Sequence, residues 1–146
     1  MKLKLKHVVL IVASLMTAQL HARDNLITLN FNQAVQQGYD EGVLDESISY
    51  YLQGQSHPQI VKNHGEYKGN KKTNGVGKSE EKSCNWVLLS VLKAYQQRAK
   101  SLGANAVINI KSNYKSREFI DDENYQCGDG MIMSGVALKG DVATIK

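Results

Sequence analysis

The longest periodic stretch of the chain lies within residues 83–114. Cys84, Leu88, Val91, Leu92, Tyr95, Ala99 and Leu102 recur at intervals of three and four, with Asn85, Lys93, Gln96, Gln97 and Lys100 opposite. That spacing predicts a long amphipathic helix with one buried stripe. Trp86 and Leu89 widen the stripe in the first turns and predict deeper burial there. Ser79 or Ser83 can cap the start, Glu80 and Glu81 suit the positive end of the helix dipole, and Gly103 supplies a left-handed stop. The period then falls to two, which predicts a strand with Ala106, Ile108 and Ile110 on one face and Val107, Asn109 and Lys111 on the other.

Upstream, residues 23–29 read as a short strand, followed by a helix capped by Asn30 or Asn32, running through Phe31, Ala34 and Val35, and ended by Gly38. Residues 39–46 read as a turn. Residues 47–53 and 59–67, rich in β-formers and separated by a turn with the only proline, predict an antiparallel hairpin. Residues 68–82 are polar and glycine-containing and predict a surface loop. Downstream, residues 115–130 read as a charged loop. Residues 131–139 are apolar on both faces and predict a central strand, with Gly135 marking a bulge or close contact. Residues 140–146 carry no strong signal. The expected fold is α+β: an antiparallel sheet with one long helix packed across it, in the order β-α(short)-β-β-α(long)-β-β.

The first 22 residues read differently. Lys2, Lys4 and Lys6 precede an apolar run from Val8 to Met16, and Ala22 is a small residue at a cleavage point. This is the pattern of a secretory signal peptide cut after Ala22, or earlier near Ala18. The run is about half of the roughly 20 residues that span a bilayer. Residues 1–22 are thus expected to be removed, leaving residues 23–146 as a single domain without a transmembrane segment and directing the protein to the periplasm. The charge changes with it. The whole chain carries 18 basic and 14 acidic residues, but three lysines leave with the leader, so the remainder is almost neutral. Bulk charge then gives no support for a nucleic-acid partner.

Cys84 and Cys127, the only cysteines, lie 43 residues apart. In an exported protein a single disulfide is the simplest reading, and the pair lacks the C-x-x-C spacing usual for a redox or metal role. Other constellations are weaker. Gly77-Lys78-Ser79 matches the end of a phosphate-binding loop, but Lys72 stands where that motif needs its first glycine, so no nucleotide is expected. His57 and His64 are the weak metal candidates, able to approach each other across the expected hairpin, though two imidazoles are half a zinc site. Asp121, Asp122, Glu123 and Asp129 lack the spacing of a calcium loop. No nucleophile–base arrangement stands out, and no catalytic residue or cofactor is expected. Lys68, Lys71, Lys72, Lys78 and Lys82 mark a basic stretch that could meet anionic headgroups, peptidoglycan or an acidic partner.

The export signal, Cys84-Asn85-Trp86, the run from Gln97 to Ile110 around Gly103-Ala104-Asn105-Ala106-Val107, Cys127, and Gly135 to Gly140 together resemble a family of small exported gamma-proteobacterial proteins. Its members often carry the label "excinuclease ATPase subunit", which implies nucleotide-dependent DNA repair, a chemistry the incomplete phosphate loop does not support. More distantly, the turn around Gly103 is similar to the YbjQ type, loosely called heavy-metal-binding. It is also similar to the outer-membrane lipoprotein that senses envelope stress for the Rcs phosphorelay. The latter resemblance implies a bridge between Cys84 and Cys127; this chain lacks the lipoprotein's lipidation cysteine and second disulfide. The expected function is a soluble, non-enzymatic periplasmic binding or interaction protein whose partner is an envelope protein or cell-wall component. A periplasmic metal-binding role through His57, His64 or the acidic loop is the alternative.

Overall fold

The computed structural model describes residues 25–146; the leader and its cleavage point at Ala22 lie outside the described residues. β1 (Asn25–Asn30) runs straight into α1 (Phe31–Asp40), because Asn30 accepts the Gln33 backbone N–H at 2.9 Å and so caps the helix. Phe31, Ala34, Val35 and Gly38 form its buried stripe. The helix does not stop at Gly38. It runs to Asp40, and the left-handed residue beyond it is Gly42 (φ 69°). Gly38 serves a different purpose: a Cβ there would stand 2.6 Å from Leu89 Cδ2, so glycine lets α1 close against the long helix.

β2 (Ser49–Leu52) pairs in parallel with β4 (Ala106–Ser112), whereas β3 (Ile60–Asn74) pairs antiparallel with β6 (Met133–Ile145). The expected hairpin between the two β-rich segments therefore does not form; the segment 53–59 carries the chain from one side of the sheet to the other. β6 is the central strand. It has β3 along one edge and, along the other, β5 (Asn124–Asp129) followed by β4, while β1 extends the β5 side. The result is an α+β fold with a curled, mostly antiparallel six-stranded sheet.

Three further expectations are corrected here. Residues 68–74 are not loop but the second half of β3, in register with β6 from Lys68↔Lys139 to Asn74↔Met133. Residues 124–129 form β5, and the unassigned tail 140–145 completes β6. The alternation expected in β4 breaks at Asn109, whose φ of 53° marks a bulge, so Ile110 joins Val107 in the main core while Ala106 and Ile108 pack with Ala143 and Ile145. A second irregularity in β3 lies between Asn63 and Glu66, with Gly65 at φ 102°. Asn63 and Asn109 both donate to Asp141 Oδ2 (3.3 and 3.1 Å), so the two bulges grip the central strand at one point.

α2 (Glu80–Ser101) lies over β3 and β6. Ser79 caps it by accepting the Lys82 N–H at 3.1 Å, and Gly103 (φ 65°) ends it as expected. Cys84 in its second turn is bridged to Cys127 of β5, with Cα atoms 5.9 Å apart and both side chains buried. Just before the bridge, buried Ser83 Oγ stands 2.8 Å from Ser134 Oγ, and Ser134 donates to Asp129 at 2.9 Å. The start of the helix is thus held to β5 and β6 by one covalent and one polar tie. On the opposite face Tyr114 lies over Gly128 and Gly135, where a Cβ would meet its ring. Gly135 is the close contact that its place in a strand suggested.

Buried phenols fill the space between helices and sheet. Tyr50 donates to Leu92 O, Tyr95 to Tyr67 O and Tyr125 to Asn85 Oδ1. Burial, with smaller contributions from Tyr51, Glu46 and Asp45, pushes Tyr39 up to about 12, and burial raises Tyr50, Tyr95 and Tyr125 further. A phenol raised in the folded state contributes stability that is complete below its unfolded value, about 10. That contribution is lost as pH rises through the folded value. We therefore expect stability to fall steeply above about pH 10. Tyrosinate absorbance from these four side chains should appear together with the loss of far-ultraviolet dichroism. Their ionisation in an intact fold would contradict this packing.

Candidate functional site

The groove between α1 and the first half of α2 is the most developed concave surface among the described residues. Three adjoining depressions of about 350, 300 and 290 Å³ share their walls. Gln33, Gln37 and Glu41 lie along the α1 side, with Gly42 and Val43 in the turn beyond. Glu81, Lys82, Asn85, Trp86, Leu89, Ser90 and Lys93 line the α2 side. The groove exists because the two helices close at Gly38 and Leu89 and diverge on either side.

Trp86 stands in the wall of this groove, 60% exposed. The burial expected for it is thus corrected, while Leu89 is indeed buried. The reason is geometric. α1 covers Leu89, and Trp86, three residues earlier, faces the opening beside α1. The surrounding groups are positioned rather than floppy: Asn85 accepts from Tyr125 OH at 2.7 Å, and Gln37 Nε2 donates to Glu41 Oε1 at 2.8 Å. What results is an indole bordered by two planar amides, two carboxylates and two ammonium groups.

The residues singled out from sequence are spread over the surface. His57 Nδ1 lies 2.8 Å from Pro58 O, with its ring against Tyr51; His64 Nε2 lies 2.9 Å from Thr144 Oγ1 on β6. Without the hairpin, no turn brings the two imidazoles together. Asp121 accepts the Glu123 and Asn124 backbone N–H groups at 2.8 and 2.7 Å, which hold its carboxyl below the usual range. Asp129, at the far end of β5, accepts from Ser134. Among the described residues no three His, Cys, Asp or Glu side chains gather to hold a metal ion. Of the phosphate-loop triplet, Ser79 is the cap of α2 and Lys78 Nζ donates to Asn74 O at 3.1 Å. The lysines of residues 68–82 divide between β3 and the first turns of α2.

Neither a scan against models of known protein families nor a search of curated proteins returns a match to this chain. The family resemblance rests on the motifs that carry it, and the groove is read from its own chemistry. Sequence reasoning missed the groove because its decisive residue sits on a helix flank. A tryptophan beside a core stripe reads as core unless the position of the neighbouring helix is known.

Proposed function

We propose that the chain is an exported, non-catalytic binding module of the cell envelope that holds a cell-wall saccharide in the α1–α2 groove. The observation that supports this most is Trp86, the only tryptophan of the chain, standing exposed in the groove wall. A large aromatic left in water on an ordered helix is unusual beside a core with apolar space to offer, and aromatic side chains of this kind anchor ligands. A sugar ring matches the surroundings: its apolar C–H face stacks on an indole, and its rim of hydroxyls needs paired donors and acceptors. Gln37 and Asn85 carry amides of both characters, and Glu41 and Glu81 carry acceptors. The leader pattern of Lys2 to Ala22 supports export to the periplasm, where such a ligand is met.

Co-sedimentation with insoluble peptidoglycan tests this reading. The wild-type protein should pellet with it, and Trp86→Ala should remain in the supernatant with an unchanged melting temperature. Equal pelleting of the two proteins, or pelleting of neither, would refute the groove as a saccharide site.

A further inference from the structure

The end of the molecule next to the start of α2 carries a second surface with a different chemistry. Val76 is 61% exposed, Met131 72% and Ile132 63%, and Met133 is also exposed. They come from two turns that are locked together: Gly75 N–H donates to Ile132 O at 2.9 Å, and Gly130 N–H to Met133 O at 2.8 Å. A contiguous set of large apolar side chains held out on ordered turns marks a contact site rather than scattered exposure. Lys71 and Lys72, near the end of β3, and Lys78, in the turn, stand around it. Two carboxylates are nearby, Glu80 and Asp129, but Asp129 is turned onto Ser134. The local balance is positive.

The position of β1 gives this surface a direction. Asn25 pairs with Asp129, so the chain joins the sheet beside the same turn. Only nine residues separate Asn25 from Met16, the end of the apolar run, a reach of about 30 Å at full extension. An export leader held in a bilayer would therefore present this end of the domain to the lipid surface. We infer that the paired turns at Val76 and Met131–Ile132 dock on an anionic phospholipid surface, with the apolar side chains entering the headgroup boundary and Lys71, Lys72 and Lys78 meeting the phosphates. This is independent of what the α1–α2 groove holds.

The protein, purified as the exporting cell releases it, should be sedimented with vesicles of phosphatidylcholine alone and with vesicles that also contain phosphatidylglycerol. Binding should favour the anionic vesicles and weaken with salt. Met131→Ser with Ile132→Ser should weaken it by about tenfold per side chain. Lys71→Gln with Lys72→Gln should weaken it only on the anionic vesicles, about fivefold per lysine. All four positions are on the surface, so thermal melts of the variants should match the wild type. Undiminished binding by the Met131/Ile132 variant would overturn the inference, because the leader or another face would then be responsible. Absence of binding to either vesicle would overturn it too.

Discussion

Cys84→Ser is expected to lower the free energy of unfolding by about 4 kcal/mol, the value that loop-closure entropy gives for a bridge closing 43 residues. Two features keep the expected loss near that figure. The bridge joins the second turn of α2 to β5, elements that otherwise meet through few side chains, and both sulfurs are fully buried. Breaking it frees the start of α2 while leaving a buried thiol at Cys127. The Ser83–Ser134–Asp129 chain next to it is worth about 1 kcal/mol per hydrogen bond and cannot replace it. Denaturant melts of the oxidised wild type and of Cys84→Ser, compared at equal slope, measure the difference. A loss below about 1 kcal/mol would mean that the helix is anchored by packing alone. Thiol titration of denatured, unreduced protein should find no free thiol.

Leu88→Ala is the second large effect. Leu88 is fully buried in the core between α2 and the sheet, and truncating such a leucine costs about 2–5 kcal/mol, depending on how far the site collapses. The informative comparison is with Trp86→Ala, two residues away. Tryptophan is the larger side chain, and in a core its truncation costs about 3–5 kcal/mol. Because Trp86 is mostly exposed, its loss should change stability by less than about 1 kcal/mol. Chemical denaturation of the two variants side by side would separate a packing residue from a ligand platform. Equal losses would place Trp86 in the core and remove the basis of the groove.

What the sequence made legible follows from where burial and backbone geometry coincide. α2, its cap at Ser79, its stop at Gly103 and the disulfide were readable because a 22-residue helix repeats its apolar stripe many times. The α+β class followed from that helix together with the apolar runs at 106–110 and 131–139. β3 was half hidden for the opposite reason. Its outer half pairs through backbone groups alone, and it carries lysines and asparagines because an edge strand is stable with solvated side chains and is protected by them. β5 was missed because only Tyr125 and Cys127 of its six residues have side chains that enter the main core. The parallel pairing of β2 with β4 was out of reach, since no local signal distinguishes a strand that turns back from one that crosses the sheet. The groove depends on how α1 meets α2 at Gly38, a contact that no periodicity encodes.

The groove is tested most directly by its own indole. As the only tryptophan, Trp86 reports on nothing else in the molecule. Its emission should be followed while muramidase-solubilised peptidoglycan fragments are added to the folded, oxidised protein. A saturable blue shift with the fold intact is expected, since a stacked sugar would take water from the ring. An emission maximum that stays at its exposed position throughout the titration would contradict a saccharide site at Trp86.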